Sequence, residues 1–470
     1  MAKSPFLGGS DYGRSTAVAA NRLINLFPMT TQGGASAFYG FVGLTNEIAA
    51  GALASGIYTA SNGRCFTVIG ATLYEVINTS GALSLTSRGS ITSTTVSRMT
   101  DNGIELIIVN GTDGWLFTFG TNVLAVISDA DFPNGTKTVS FLDGYFICYD
   151  PNTQKFYISS LYAGATWDAL DFASAEGDPD YNVGTIVSHR ELIVFGETSG
   201  EIFYNSGDPD FPLTRNQSGT FDIGCAATYS IAKIRGMVCW LGKDESGQGI
   251  VYRLNGYTAE PISNHEVNYH IQKMTTISDA IAFTFQLEGN YFYVITFPTG
   301  EQTWVYNFTT SLWHQAANFV NGVFTRWEAQ EYAYFAGKHL VCDYSEGNIY
   351  SMSLDTYANG SETRKWLRSW QDPAGGKNRR YSRLSLHGEM GVGLQSGQGS
   401  DPQVMLRWSD DRGKTWSTEY WQSLGAVGEY GIKCRWNRLG MNKNSETCGR
   451  IWELSGTDPV KIVLTGVDVE

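Results

Sequence analysis

The residue types and spacing best suited to chemistry occur in one short stretch, SDDRGKTW, from Ser409 to Trp416. It fits the pattern Ser-x-Asp-x-Gly-x-Thr-Trp, the Asp box, which sugar-cleaving enzymes carry in several copies. Cleavage of a sialoside would also need arginines that grip the substrate carboxylate and a tyrosine with an acidic partner. The sequence has one copy of the box, and no pair of carboxylates stands out for glycoside chemistry.

A single Asp box is better explained as a stable turn. Asp411 can accept hydrogen bonds from N–H groups of its own turn, Gly413 can take a positive φ, and Trp416 can pack beneath the hairpin. We therefore predict a structural turn and no catalytic residue. The residues assigned to this turn are Ser409, Asp411, Gly413, Thr415 and Trp416.

Metal chemistry is not predicted either. The stretch His265-Glu-Val-Asn-Tyr-His270 has an i, i+5 spacing, which places the two rings on different faces of a helix. The chain has 7 cysteines and no C-x-x-C pair, which predicts buried free thiols in a reducing compartment. We expect no metal and no cofactor.

A basic stretch, RKWLRSWQDPAGGKNRRYSR, is the strongest candidate for an interaction site. It could dock an acidic protein surface, with tryptophan and arginine as hot spots. It could also be a solvated linker with its tryptophans packed beneath it, or could bind nucleic acid or lipid head groups. The candidate protein-interaction residues are Arg364, Lys365, Trp366, Arg368, Trp370, Lys377, Arg379, Arg380 and Arg383.

The composition indicates which elements position these residues. The chain has 470 residues, of which 42% are hydrophobic, 13% aromatic and 17% charged, with 53 glycines. Many glycines and aromatics with few charges are typical of short strands joined by tight turns. The net charge of −13 is uneven: residues 1–362 hold 17 basic and 34 acidic side chains, whereas residues 363–470 hold 16 and 12. An acidic body therefore precedes a mildly basic C-terminal part.

A repeat covers the middle of the chain. Each unit has a Gly or Asn turn, an apolar strand, a second turn and a strand rich in Tyr and Phe. Successive starts are 40 to 53 residues apart, near the period of propeller blades. One hairpin alone is marginally stable, so the units must stack. The sequence predicts an all-β protein with a β-propeller-like domain of about six to eight blades. The units start at Ser61, Asp101, Leu142, His189, Arg235, Glu288 and Gly337.

The two ends differ from the repeat. Residues 14–26 could form one short helix or an arm lying on another surface, and a second helix is predicted over residues 263–273. Alternating strands return after Tyr381 and predict a β-sandwich-like module. The predicted division is an N-terminal arm (1–55), a β-propeller-like domain (56–355), a basic linker (356–380) and a C-terminal β-module (381–470).

Three segments carry a family resemblance. They are SPFLGGSDYGRSTAVAANRLINLFPMTTQGGASAFYGFVGLT near the start, the region from Thr303 that begins TWVYNFTTSLWHQ, and the final MLRWSDDRGKTWSTEY and IVLTGVDVE. Together they resemble the packaged-DNA stabilisation proteins of short-tailed bacteriophages, also called tail accessory or nozzle proteins. The resemblance covers nearly the full length and supplies no catalytic motif.

The resemblance implies a structural protein of the phage tail, assembled in the host cytoplasm, and not an enzyme. It implies a ring of six copies below the portal and adaptor proteins, which holds and conducts DNA and docks tail fibres or spikes. No membrane insertion is expected. An acidic lumen would let DNA slide without tight binding, because lysine and arginine drive phosphate binding. We expect deletion of residues 1–30 to leave a folded monomer that enters particles poorly. The alternative is a glycan-binding or glycan-hydrolysing propeller.

Overall fold

The computed structural model describes residues 6–14, 20–30, 36–92, 96–243, 247, 249–360, 362–372, 378–444 and 449–470. The described chain is almost entirely β-structure. Four strands come first, within the segment that precedes the repeat: β1 Arg22–Ile24, β2 Leu26–Thr30, β3 Ser36–Gly40 and β4 Gly43–Ile48.

The repeat region forms stacked antiparallel sheets, each running from an inner strand at a common axis to an outer strand. The first four blades have four strands each, in sequence order. Blade 1 is β5 Ala54–Thr59, β6 Cys65–Ile69, β7 Thr72–Thr79 and β8 Ala82–Ser90; blade 2 is β9 Arg98–Asp101, β10 Glu105–Val109, β11 Gly114–Thr118 and β12 Val123–Val126. Blade 3 is β13 Val139–Leu142, β14 Tyr145–Tyr149, β15 Lys155–Ser160 and β16 Ala163–Ser174; blade 4 is β17 Asn182–Ser188, β18 Glu191–Gly196, β19 Gly200–Asn205 and β20 Leu213–Phe221.

Three more blades complete the ring. In blade 5 two short strands share the inner position; this blade is β21 Gly224–Cys225, β22 Ala232–Ile234, β23 Met237–Lys243, β24 Gly249–Asn255 and β25 Thr258–Pro261. The predicted second helix is confirmed as α1, His265–Gln272, with the Asn264 side chain accepting from the N–H of Val267. Blade 6 is β26 Ile281–Leu287, β27 Asn290–Phe297, β28 Gln302–Asn307 and β29 Leu312–Val320, with β30 Val323–Arg326 beside β29; blade 7 begins with β31 Ala329–Phe335, β32 Lys338–Asp343 and β33 Ile349–Ser353.

The N-terminal segment closes the ring. Strand β4 pairs antiparallel with β33, with Ser351 opposite Thr45, and so supplies the outer strand of blade 7. Because β4 leads directly into blade 1, its backbone hydrogen bonds to β33 tie the first and last blades of the propeller together. Within the described residues there are seven blades, which confirms the predicted propeller.

The seven sequence units correspond to the second and third strands of each blade. Each unit starts at or just before the hairpin turn that follows the inner strand. In five of the seven units two consecutive residues of this turn have positive φ. Asp143 and Gly144 have φ of 49° and 100°, and Glu288 and Gly289 have φ of 45° and 79°. Such turns match the twist of the strands that they join. The middle strands are also the most buried, so they carried the strongest apolar signal.

The C-terminal strands form a β-sandwich. They are β34 Trp366–Gln371, β35 Arg379–Arg380, β36 Arg383–Gly388, β37 Gln403–Ser409, β38 Tyr420–Ser423, β39 Arg435–Asn437, β40 Met441–Asn442, β41 Ile451–Gly456 and β42 Val463–Val469. One sheet has the order β1-β34-β41-β37-β38 and the other β2-β3-β42-β36-β39. Their inner faces bury Trp370, Trp436 and Trp452 in one core. The predicted sandwich-like module is confirmed.

The N-terminal segment belongs to both domains. Strand β1 lies between β29 of blade 6 and β34 of the sandwich, so the two sheets run into one ten-stranded sheet. Strands β2 and β3 belong to the second sandwich sheet. The alternative of a helix over residues 14–26 is wrong for residues 22–26, because Leu23, Ile24 and Leu26 are buried against sheets; residues 15–19 lie outside the described residues.

The exact boundaries of the four predicted domains remain a prediction. The sandwich sheets draw strands from three of those ranges, since β1 to β3 lie in 1–55 and β34 lies in 356–380. Residues 366–371, predicted to be part of a linker, form a strand between β1 and β41.

The six cysteines that the structure describes are free and buried, as predicted for those six; Cys448 lies outside the described residues. Among the described residues, no helix has the length and hydropathy that crossing a bilayer requires.

Candidate functional site

The basic stretch holds the chain's own N-terminal segment. Strand β34 brings Arg368 into the core, where its side chain is 0% exposed. Its Nε donates to the carbonyl of Phe6 (2.8 Å), and its Nη1 donates to that of Gly9 (3.3 Å). The guanidinium also lies 5.1 Å from the centre of the Phe38 ring. Burial lowers the pKa of Arg368 to about 9, and nearby Asp11 opposes this shift. Arg368 therefore anchors the incoming segment.

A second junction forms around Asn25, between β1 and β2. Its backbone takes φ of 54°, which asparagine tolerates better than most residues. Its Nδ2 donates to the carbonyls of Ala317 and Lys365, both at 2.8 Å, and its Oδ1 accepts from the N–H of Ala317 (2.9 Å). Arg364 Nη2 donates to the Asn25 carbonyl (3.0 Å). One amide thus connects blade 6, the N-terminal segment and the start of β34.

Sequence reasoning missed Asn25. The signal that could have found it is its place in the run LINLF, where a lone polar residue interrupts apolar neighbours. In a buried run, such a residue must satisfy its hydrogen-bonding groups inside the protein.

The prediction of a docking surface is corrected for four of the nine basic-stretch candidates. Side chains buried in the chain's own core cannot form the surface that a partner meets. The arginines instead bind the N-terminal segment, and the tryptophans fill the sandwich. The four buried residues are Arg364, Trp366, Arg368 and Trp370.

The other five candidates remain a prediction, and three of them make separate contacts within the chain. Lys365 lies over the Phe319 ring at 4.8 Å, and Arg379 lies over the Tyr381 ring at 5.0 Å. Arg383 is paired with the carboxylate of Glu470. Arg380 is exposed on the short strand β35, and Lys377 lies outside the described residues.

The Asp box forms a turn after β37. Thr415 donates its backbone N–H (2.8 Å) and its hydroxyl (2.6 Å) to Asp411, and the N–H of Gly413 donates to Ser409 Oγ (2.8 Å). The hydrogen bonds from Thr415 lower the pKa of Asp411 to about 2. Trp416 is half-buried, with the Arg407 guanidinium 4.7 Å from its ring. The hydrogen bonds among Ser409, Asp411, Gly413 and Thr415 therefore shape the turn, and the ion pair of Asp410 with Arg450 (2.7 Å) fixes it to the sandwich.

The two histidines of the HEVNYH stretch lie on α1 and do not form a metal-binding pair. His270 Nε2 lies 2.6 Å from the carbonyl oxygen of Tyr12, so this ring contacts the N-terminal segment. Burial lowers the pKa of His270, while that contact with Tyr12 opposes the shift. Among the described residues there is no group of His, Cys, Asp and Glu that could hold a metal ion.

An ion pair crosses the axis of the propeller. Inner strands of all seven blades line a cavity of about 260 Å³. Arg98 on blade 2 reaches Glu331 on blade 7, with Nη1 lying 2.8 and 2.7 Å from the two carboxylate oxygens. Its Nη2 donates to the carbonyl of Tyr229 (2.8 Å). Burial raises the pKa of Glu331, and Arg98 opposes this rise. The pair joins blades that lie on either side of blade 1.

A second carboxyl group, on the half-buried Glu328, lies directly before the inner strand of blade 7. Burial, together with the carboxylates of Asp343, Glu362 and Glu346, raises the pKa of Glu328 to about 7. Its Oε2 has no hydrogen-bond partner among the described residues. The folded protein therefore favours the protonated form of this group.

This shift predicts a pH-dependent stability. Between about pH 4.5 and 7, folded Glu328 keeps a proton that the unfolded chain releases, so its contribution to stability falls as pH rises. Glu328→Gln removes that loss. We expect the free energy of unfolding of the variant to exceed that of the wild type by on the order of 1–3 kcal/mol at pH 8. At pH 4.5 the two free energies should differ little.

Urea denaturation midpoints at the two pH values measure the effect. The exposed Glu419→Gln is the matched control and should leave both midpoints unchanged. An equal shift for Glu328→Gln at both pH values would show that its carboxyl group is ionised throughout.

Comparisons with solved structures return chains of low similarity. The WD40 domain of Neurospora crassa Pan2 shares 9% identity with a TM-score of 0.41, over 64% of this chain and 89% of that one. A chain of the mitotic checkpoint complex shares 8% identity with a TM-score of 0.41, over 65% and 93%. PorZ, a surface component of the type-IX secretion system of Porphyromonas gingivalis, shares 11% with a TM-score of 0.38, over 73% and 45%. No curated protein matches the sequence.

Family models give the decisive match. Residues 3–357 match the β-propeller of bacteriophage P22 Gp10, and residues 373–470 match the β-sandwich of the same protein. The two matches cover the two domains seen in the structure and most of the chain. This chain belongs to the P22 Gp10 family and is a structural protein of the phage tail, in the family that stabilises packaged DNA.

Proposed function

We propose that this chain is a wall element of a closed ring, or nozzle, of six copies below the portal and adaptor proteins. The ring retains packaged DNA and conducts it during ejection. The observation that carries the proposal is the interlocking of the two domains by residues 6–48. A wall that resists the pressure of packaged DNA needs domains that do not rotate against each other, and a shared sheet meets that need.

The shared sheet makes rotation costly. Strand β1 pairs with β34 through Arg22 opposite Ser369 and Ile24 opposite Leu367. Turning the sandwich relative to the propeller would break these ladder bonds and expose the core around Trp370. Unsatisfied buried N–H and C=O groups cost about 1–3 kcal/mol each. The two domains should therefore move as one body.

The DNA path lies between copies in this proposal. The propeller axis encloses about 260 Å³ and is crossed by Arg98 and Glu331. It has no room for a duplex whose major groove alone is about 12 Å wide. A ring built by head-to-tail contacts between copies would leave a central opening of the necessary size.

The charge distribution supports a channel that conducts DNA without binding it tightly. Residues 1–362 carry twice as many acidic as basic side chains. Carboxylates that face the lumen would repel the phosphate backbone, so DNA would pass without tight binding. The mildly basic sandwich would then lie at protein contacts with the adaptor, fibres or spikes.

Electron microscopy of virions and of the purified full-length chain tests the proposal. We expect a closed ring on the tail axis whose central opening admits a duplex. A chain that remains monomeric in the particle, or that lies away from the axis, would overturn the proposal. A lumen lined by lysine and arginine would overturn the placement of the acidic surface alone.

A further inference from the structure

A compact basic pocket lies between the N-terminal segment and the Asp-box turn. It encloses about 220 Å³. Tyr12 and Arg22 come from the N-terminal segment, and Lys414 and Trp416 come from the turn. This pocket brings together two features that the sequence presented separately, and the structural role of the Asp box does not explain it.

The charge of the pocket is the reverse of that of the protein. Its described lining includes the cations Arg22, Arg407, Arg412 and Lys414, against the single carboxylate of Glu453. The chain as a whole has a net charge of −13. Cations gathered in a concave site repel one another unless an anion joins them.

The carboxylate inside the pocket is already engaged. Glu453 is 3% exposed, and its Oε1 accepts from Arg407 Nε at 2.6 Å. The Arg407 guanidinium also covers the Trp416 ring. Glu453 therefore neutralises Arg407, whereas Arg22 and Lys414 contribute positive charge that Glu453 does not pair with.

Arg22 is the inner cation that lacks an oxygen partner. Its guanidinium lies 5.4 Å from the Tyr12 ring and 5.9 Å from the Phe324 ring. Among the described residues, no hydrogen-bond acceptor reaches it. Burial lowers the pKa of Arg22, while the charge of Glu453 opposes the shift. An incoming oxygen anion would supply the missing hydrogen bonds.

We propose that this pocket binds a carboxylate side chain presented by an acidic protein neighbour in the tail. Arg22 receives the carboxylate at the inner end, and Arg412 and Lys414 hold it at the opening. The identity of the neighbour as a tail protein rests on the proposed function, whereas the binding chemistry does not.

The pocket fits a protein side chain better than a DNA backbone. A duplex presents one negative charge per about 1.7 Å of its axis, which a basic track matches better than a single pocket. Tryptophan, tyrosine and arginine are the residues enriched at the centres of protein interfaces.

Fluorescence anisotropy with a labelled hexaglutamate peptide and the full-length chain at low salt tests the inference. The double variant Arg412→Gln/Lys414→Gln changes two exposed side chains and should preserve the fold. We expect it to weaken binding about 10-fold or more, since hydrogen bonds to charged groups contribute about 1.5–3 kcal/mol. Arg22→Gln should weaken binding similarly, with its folding checked by the melting temperature.

The matched control is Lys433→Gln/Arg435→Gln, which removes the same charge from exposed positions of the sandwich outside the pocket. It should change the peptide affinity less than about 2-fold. Equal weakening by both double variants, or no binding by the wild type, would overturn the inference. Duplex DNA binding that depends on Arg412 and Lys414, without peptide binding, would assign the pocket to phosphate and also overturn it.

Ring formation is measured separately on the same proteins. A wild type that binds the peptide but forms no ring would contradict the proposed function and leave the pocket in place. A wild type that forms rings but does not bind the peptide would contradict the pocket alone.

Discussion

Deleting residues 1–30 is expected to prevent folding of the sandwich and to open blade 6, which reverses the expectation from sequence. The deletion removes strands β1 and β2 and the buried side chains of Phe6, Leu23, Ile24, Leu26 and Phe27. Truncating one buried leucine or phenylalanine costs about 2–5 kcal/mol. Losing five of them costs about 10–25 kcal/mol, which equals or exceeds the free energy of unfolding of a typical domain, about 5–15 kcal/mol. The expected product is insoluble or aggregated protein.

A single substitution tests the contribution of one buried side chain without shortening the protein. Phe6 is 1% exposed and packs edge-on against Trp370, with ring centres 4.9 Å apart. Phe6→Ala should lower the free energy of unfolding by about 3–5 kcal/mol, because it leaves a cavity and exposes the Arg368 site. The neighbouring Leu7 is 38% exposed, so Leu7→Ala should cost less than about 1 kcal/mol.

Urea denaturation followed by tryptophan fluorescence measures both variants, since Trp370 and Trp452 report on the sandwich core. If Phe6→Ala and Leu7→Ala had equal midpoints, or if the deletion gave a soluble folded monomer, the N-terminal segment would be a peripheral arm after all.

Breaking the ion pair on the propeller axis should have a comparably large effect. Arg98→Met leaves the carboxylate of Glu331 buried without its cation, which costs about 3–5 kcal/mol. The penalty should be smaller at pH 5 than at pH 8. In the variant, burial raises the pKa of Glu331 further above its unfolded value, so stability falls as pH rises above about 4.5.

A double substitution tests whether the pair itself is the cause. Arg98→Met/Glu331→Leu removes both charges and should recover most of the loss, because an apolar pair of similar volume often replaces a buried ion pair at little cost. Arg190→Met is the control, since its ion pair with Asp143 is on the surface and its side chain is 81% exposed. Midpoints from thermal and urea denaturation give the coupling between the two substitutions. Additive losses would show that Arg98 stabilises the ring through its bond to Tyr229 instead.

The propeller could be predicted because its signal is local. Within each blade the second and third strands are consecutive, apolar and joined by a tight turn, so the pattern returns in every unit. The inner strands of blades 2 and 3 have only 4 residues each, and outer strands such as β8 and β12 expose many side chains. Their alternation is too weak to mark them, which is why each unit contained half a blade.

The sandwich was predicted only in part, for a similar reason. The alternating strands predicted after Tyr381 are observed as β36, β37, β38, β39 and β42. Strand β41 is buried along its whole length and strand β34 nearly so, and such strands lack the alternation that marks a half-buried strand. In β34 the charge of Arg368 also suggested a solvent-exposed side chain. Its hydrogen-bond acceptors are instead the carbonyls of Phe6 and Gly9, more than 350 residues earlier in the chain.

The sequence by itself determined the β-class, the repeat, the structural character of the Asp box and the family resemblance, because each depends on neighbours along the chain. Only the tertiary structure decided what the N-terminal segment does. Its strands β1 to β4 complete three sheets whose other strands lie more than about 250 residues away. The same distance hid the role of Arg364 and Arg368, and the basic pocket where Arg22 meets Lys414. Contacts between segments so far apart are set by how the blades and sheets stack, and no local pattern records them.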